Sequence, residues 1–358
     1  MTPMDKPNIL IVKLSAIGDV VHTLPALNAL RRHYPQAHIA WLVEEASAGL
    51  LKGHPALDRV LVSRRKAWLK GLRSPQWRRN GREIKTFIRC LRELNYDMVF
   101  DFQAALKGAA LITLVRGRRK IGFGPGLQHQ EFSYLMLNER IPAVSMEMHA
   151  LERGLRMIEA VGIPVGPVEY RLPITADHRR VSDCILNAEG ILREHAFVVV
   201  NPVAKWETKL WQVHKFAQTA DSLRSEFNLP VVFTGAPEDR AYIQAIGDRM
   251  KTKSVNLAGL TDLITLAALL QRAEMMITTD TGPMHLAAAV GTPIVALFGP
   301  TAPGRTGPFG SGHQIVRTAP PCSPCYKRRC DAHHYRCMME ISVPAVLEAT
   351  RCLLGASL

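Results

Sequence analysis

The sequence has no apolar run long enough to cross a bilayer. Its start, MTPMDKPNILIVKLS, offers too short an apolar stretch for a secretory leader, and no small-residue cleavage site follows. The expectation is therefore a cytoplasmic protein with reduced thiols, neither spanning nor exported. Acidic residues are scarce beside basic ones: 31 Asp and Glu stand against 45 Lys and Arg, a formal charge of +14. That imbalance argues against a cationic partner and for an anionic one. Nucleic acid, acidic phospholipid and a phosphorylated glycolipid all have the right sign. The scarcity is also local, since Arg59 to Arg92 holds twelve Lys and Arg and one acid, Glu83. A GxGxxG fingerprint is missing too. The loop after the first apolar run carries a single glycine, Gly18, so nothing asks for a nicotinamide cofactor. Trp68 and Trp77 interleave with the basic stretch as in a stacking surface, yet no nucleic-acid-binding motif surrounds them, and no nucleic-acid partner is expected.

What is present is 358 residues, 47% of them hydrophobic, enough for two domains with cores of their own. Short apolar runs alternate with helical spacing: strand at 8–13, helix at 20–33 with Val21, Leu24, Leu27 and Leu30 on one face, strands at 38–43, 60–62 and 97–101, and helix at 81–94. That alternation predicts an α/β fold with parallel, doubly wound sheets. The linker is expected in Gly162-Ile163-Pro164-Val165-Gly166-Pro167, which gives domains at 1–165 and 166–342 and a last helix at 343–354 returning to the first domain. The most informative stretch is 275–300, MMITTDTGPMHLAAAVGTPIVALFGP, which reads as strand, turn, helix, turn, strand. A strand feeding a helix through Asp280-Thr281-Gly282 leaves free N–H groups at the helix start, and those groups with the helix dipole attract an anion such as phosphate. Read without further context, the same string is also an ordinary capped crossover.

The whole string, with the second turn Gly299-Pro300-Thr301, resembles the nucleotide-sugar site of the lipopolysaccharide heptosyltransferases, inverting glycosyltransferases. VKLSAIGDVVHTLPALNALRRHYP (12–35) resembles their N-terminal motif, and SRRKAW (63–68) is similar to the basic segment of heptosyltransferase I. The resemblance covers nearly the whole chain and is weakest at 302–340. It implies a GT-B architecture: two Rossmann-like doubly wound domains facing a central cleft. The donor would be ADP-heptose and the acceptor a Kdo-lipid A type sugar of the inner core, with no cofactor. Asp19 would be the general base taking the acceptor hydroxyl proton, a task helped by a buried setting. Gly18, Arg64, Arg65, Lys66, Gln103 and Lys107 would lie at the acceptor, where Arg pairs with carboxylate and phosphate. Lys209 of Lys209-Leu210-Trp211 would contact the diphosphate and steady it as it leaves. Many members have Lys-Arg-Trp-Pro there, and this chain departs at Leu210 and Gln212. Asp239, where members usually have Glu, would take ribose hydroxyls. Asp280, Thr281, Gly282 and His285 would surround the diphosphate or donor sugar. Leu260 lies where the family lines the adenine pocket, although a leucine is more often core. Heptosyltransferase II, another nucleotide-sugar transferase, and a non-enzymatic nucleotide- or polyanion-binding protein are the rivals. The lipid acceptor that the resemblance implies, with the basic face, leaves room for peripheral contact with the inner membrane.

Two other features stand apart. His149, Glu152 and Arg153 share a helix face and fit a surface cluster or an acceptor role equally. Cys322, Cys325, Cys330 and Cys337 have a spacing that can hold zinc but lack a clean pair of CxxC knuckles. Reduced thiols in an ordered loop, without metal, are the expectation. Cys90, Cys184 and Cys352 look like small core residues.

Overall fold

The computed structural model describes residues 6–71, 75, 77–127, 131–332 and 334–355. They divide into two compact units, Met1–Pro173 and Ile174–Leu358. In the first, β1 (Asn8–Val12), β2 (His38–Glu44), β3 (Arg59–Ser63), β4 (Tyr96–Asp101), β5 (Gly117–Phe123) and β6 (Glu139–Ile141) form one sheet in the order β3-β2-β1-β4-β5-β6. Every pairing is parallel. In the second, β7 (Val198–Asn201), β8 (Val231–Phe233), β9 (Val255–Asn256), β10 (Met275–Thr279), β11 (Ile294–Phe298) and β12 (His313–Arg317) run in the order β12-β11-β10-β7-β8-β9, again all parallel. The strand order reverses between β1 and β4 in one sheet and between β7 and β10 in the other. Loops leaving such neighbours in opposite directions open a crevice at the carboxyl edge, where doubly wound sheets bind ligands.

The central strands are apolar throughout because helices cover both faces. Ile9 to Val12, Met275 to Ile277 and Ile294 to Phe298 are all buried. The helix Ile17–His33 buries Val20, Val21, Leu24, Leu27 and Leu30. It begins earlier than its spacing suggests, so Gly18 and Asp19 sit inside its first turn. The sequence hides that start because Ala16, the N-cap, has no capping side chain. In the second unit Trp211 is fully buried and donates from Nε1 to Ile341 O at 3.1 Å. The tryptophan of Lys209-Leu210-Trp211 is thus an anchor, and its lysine is held two residues away.

The division between units falls at Pro173/Ile174, not at 165/166, because 165–171 is tied to the first unit. Asn28 Nδ2 donates to Glu169 O, Arg32 pairs with Glu169 and donates to Val165 O, and His54 Nε2 meets Tyr170 O. The last helix, Val343–Gly355, packs against the Val213–Phe227 helix and β11 and β12 of its own unit, where a return to the first had been expected. Its buried Val346, Leu347 and Leu353 supply the apolar stripe that does this.

Candidate active site

In the first unit the switch between β1 and β4 gathers Asp19, Gln103 and Lys107, while Arg64, Arg65 and Lys66 follow β3 at the sheet edge. Asp101, at the end of β4, is 1% exposed and accepts at Oδ1 from the N–H groups of Gln103 and Ala104, at 3.1 and 3.0 Å. That turn carries Gln103 back to the β1 loop, where its Oε1 accepts from Leu14 N and Ser15 N. Lys107, in the first turn of the Leu106–Leu114 helix, donates to Ser15 Oγ. Burial lowers the pKa of its ammonium. Glu44 and Asp19 oppose this, while Lys13 and Arg65 add to it, so these five charged side chains lie within electrostatic reach. Asp19 accepts at Oδ2 from Ala16 N at 2.8 Å and faces the Lys13 ammonium at 3.7 Å. Its side chain is 46% exposed. The buried setting considered for it is absent, because the helix start turns the carboxylate outward over its own first turn.

Arg65 and Lys66 both pair with Glu44, whose side chain is only 5% exposed, at 3.2 and 3.3 Å. Arg64 pairs with Glu45 and Glu83. A cavity of about 230 Å³ is lined by Lys13, Asp19, His22, Gln103, Met146 and Arg153 among others, and Arg64, Arg65, Lys66 and Lys107 are not part of its lining. His22 and Met146 are functional candidates that sequence reasoning missed. His22 reads as one more residue of a buried helix face, and only its edge-on contact with the His149 ring, 5.0 Å between centroids, picks it out. His149 itself is the N-cap of the Ala150–Glu159 helix, where its ring nitrogen accepts from Leu151 N, and so lies just outside the helix expected to carry it.

The second unit repeats the arrangement at the switch between β7 and β10. Lys209 ends a 3-10 turn, Glu207–Lys209, after β7. Its ammonium lies 2.6 Å from Asp280 Oδ2 and 4.5 Å from the Trp206 ring centroid. Thr301 Oγ1 donates to the same carboxylate oxygen at 2.6 Å. Asp280 is 6% exposed, so this is a mostly desolvated ion pair with a hydroxyl completing it. Thr281 is the N-cap of the Gly282–Ala289 helix, yet its side chain makes no cap hydrogen bond. The Thr281 side chain thus leaves the start of that helix, a favourable place for an anion, uncapped. Asn201 Oδ1 and Thr279 Oγ1, at the buried ends of β7 and β10, have no hydrogen-bond partner among the described residues. His285 is 7% exposed on the same helix.

A second pair of turns adjoins β8 and β9. Asp239 Oδ2 accepts from Ala236 N at 2.7 Å, and Gly259 N donates to Gly235 O. Gly259 has φ +78°, and a Cβ there would meet Pro237 Cα at 2.9 Å, so only glycine lets the two turns close up. Leu260, beyond it, is 49% exposed. The core reading of Leu260 is thereby overturned: its chain has already left the sheet in a left-handed turn.

The cysteine loop braces these elements. Thr208 Oγ1 donates to Lys327 O, Ser323 Oγ to Gly299 O, and Tyr335 OH to Glu207 Oε1. Burial pushes the Cys337 thiol up in pKa, and Cys325, Cys322 and Cys330 add to it, so all four cysteines share one neighbourhood. Among the described residues no three His, Cys, Asp or Glu side chains are arranged to hold a metal ion. Cys184 and Cys352 are exposed, not core, because each falls on the outer face of its helix.

No described helix is long and apolar enough to cross a membrane. The sequence profile of glycosyltransferase family 9 (heptosyltransferase) matches residues 84–336. Lipopolysaccharide heptosyltransferase 1 of Pseudomonas aeruginosa is 30% identical, over 90% of this chain and 87% of its own. Lipopolysaccharide heptosyltransferase 3 of Escherichia coli is 29% identical, over 79% and 80%. The structure of E. coli heptosyltransferase WaaC with ADP superposes with a TM-score of 0.77 at 24% identity, covering 97% of this chain and 99% of that one, which agrees with the GT-B fold. The chain belongs to glycosyltransferase family 9, and is a glycosyltransferase with heptosyltransferase activity in lipopolysaccharide core biosynthesis.

Proposed function

We propose that the chain moves L-glycero-D-manno-heptose from ADP-heptose to a Kdo-lipid A type acceptor, inverting the anomeric centre. The observation that carries the donor half is the Lys209–Asp280–Thr301 cluster beside an uncapped helix start at the second switch point. The relative whose structure holds ADP supports the choice of nucleotide. Asp239 and Leu260 would meet the adenosine, with His285 at the heptose. In the acceptor half, Gly18 lets the sugar approach the Asp19 turn. Arg64, Arg65 and Lys66 meet its carboxylates and phosphates, and Gln103 and Lys107 hold the loop that carries Asp19.

The acceptor oxygen forms its bond to the anomeric carbon as the bond from that carbon to the ADP phosphate breaks. The hydroxyl proton passes to Asp19. The electron pair of the breaking bond leaves on the β-phosphate, where Lys209 and the N–H groups around Thr281 and Gly282 stabilise it. A half-exposed carboxylate can serve, since the hydroxyl acidifies as it attacks.

The heptosyltransferase 3 relative, almost as similar as the heptosyltransferase 1 relative, favours a second reading with a later core sugar as acceptor. ADP release from ADP-heptose, with Kdo2-lipid A or with a heptosylated core, separates the two. Release only with Kdo2-lipid A is the expected result. Release only with the heptosylated core would replace this acceptor by the later one.

A further inference from the structure

Two packed elements of the first unit leave four large apolar side chains in solvent. Leu106 is 57% exposed, Phe132 68%, Leu135 57% and Met136 43%. They belong to two elements packed on each other, the Leu106–Leu114 helix and the 3-10 turn Ser133–Met136, the latter entered through Phe132. Leu106 N donates to Glu131 Oε2, which ties them at the end where the helix begins. Phe132 has φ +58°, a backbone setting that costs a bulky residue energy, yet its ring is left in water. Exposed apolar side chains gathered on two packed elements mark a contact surface.

Its position says what it touches. Leu106 precedes Lys107, which is joined to Ser15 and lies in electrostatic reach of Asp19, Glu44 and Arg65. The patch thus starts where the acceptor cluster ends. Charge agrees: the exposed Arg140 donates to Tyr134 O of the same 3-10 turn and lies 5.7 Å from the Tyr134 ring centroid, which puts a cation beside the apolar group. We propose that the Leu106–Phe132–Leu135–Met136 patch rests on the headgroup–acyl boundary of an anionic bilayer and receives the lipid part of the acceptor beside Lys107. The inference rests on the lipid-linked acceptor reading. Apolar burial at the boundary and cation attraction to anionic headgroups add, as they do for interfacial helices.

The test is the Leu106→Ser/Phe132→Ser/Leu135→Ser variant. Co-sedimentation with phosphatidylcholine–phosphatidylglycerol vesicles should fall about ten-fold or more, from lost apolar insertion. The KM for lipid-linked acceptor in vesicles should rise by a similar factor, while kcat/KM for the same acceptor deacylated to water solubility stays unchanged. That last value also reports that the variant is folded, and Phe132→Ser alone serves if the triple variant is not. Unchanged vesicle binding would overturn the proposal. So would a wild-type dimer that the substitutions turn into a monomer in sedimentation velocity, since the patch would then be covered by a second copy. Absence of turnover with both acceptor forms would sink the acceptor reading alone, because vesicle binding is read without turnover.

Discussion

Asp19, in the first turn of the helix after β1, and Asp101, at the end of the neighbouring β4, do opposite things with their carboxyl groups. Asp19 is half-exposed beside Lys13, open to a hydroxyl arriving from solvent. Replacing it by Ala should cut the rate of ADP release by about 10²–10⁴-fold and leave ADP affinity by calorimetry unchanged. Undiminished turnover would remove Asp19 as the base. Asp101 is sealed in, and burial pushes its pKa from 3.8 up to about 6, against the pull of the two N–H donors and Lys13. Its Oδ2 has no hydrogen-bond partner among the described residues. Between about pH 4 and 6 the folded chain holds a proton that the unfolded chain releases, so stability falls as pH rises through that window. The loss is on the order of 3 kcal/mol for a shift of this size. Asn keeps the Oδ1 acceptor and cannot ionise. Asp101→Asn should therefore raise the melting temperature at pH 7.5 and not at pH 4; equal shifts at both would show that Asp101 is not the group that titrates.

Among the elements, the Arg65–Gly71 helix and the β3 exit carry ion pairs whose exposure decides their worth. Arg64 with Glu45 is 44% and 59% exposed, a class of pair worth less than about 1 kcal/mol. Arg64→Ala should barely move the melting temperature and should raise acceptor KM with donor KM constant. Lys66→Ala should do the same, since Arg65 remains to hold the buried Glu44. Donor KM rising alone would move this segment out of the acceptor site. The β10–helix–β11 stretch was legible because apolar runs, Thr281, Pro283 and Gly291 all mark the same boundaries. The strands β6 and β12 were not. Both are edge strands, short or half-polar, with Arg140 inside one and His313, Gln314 and Arg317 in the other, so neither shows a run or a clean alternation. Exposure of Leu260 was hidden for a related reason: it depends on the φ of Gly259, which composition does not display. The pairing of Lys209 with Asp280 joins residues 71 apart and depends on β7 and β10 being neighbours.

At the scale of the whole molecule, each unit has its own core and its own switch point, so donor binding should register locally. Addition of ADP should slow amide exchange over 206–211, 235–240 and 280–286 and leave 12–20 and 101–108 as they were, measured by mass spectrometry. Protection confined to the first unit would overturn the donor assignment. The Lys209–Asp280 ion pair also bears on which anions the chain would pass over. An anion reaching Lys209 has to displace a carboxylate already seated on it at 2.6 Å. Orthophosphate or sulfate should gain little by doing so, whereas a ligand with a second point of attachment can recover the difference elsewhere. An internal counterion of this kind acts as a doorkeeper for a strongly basic chain, favouring ligands with two handles.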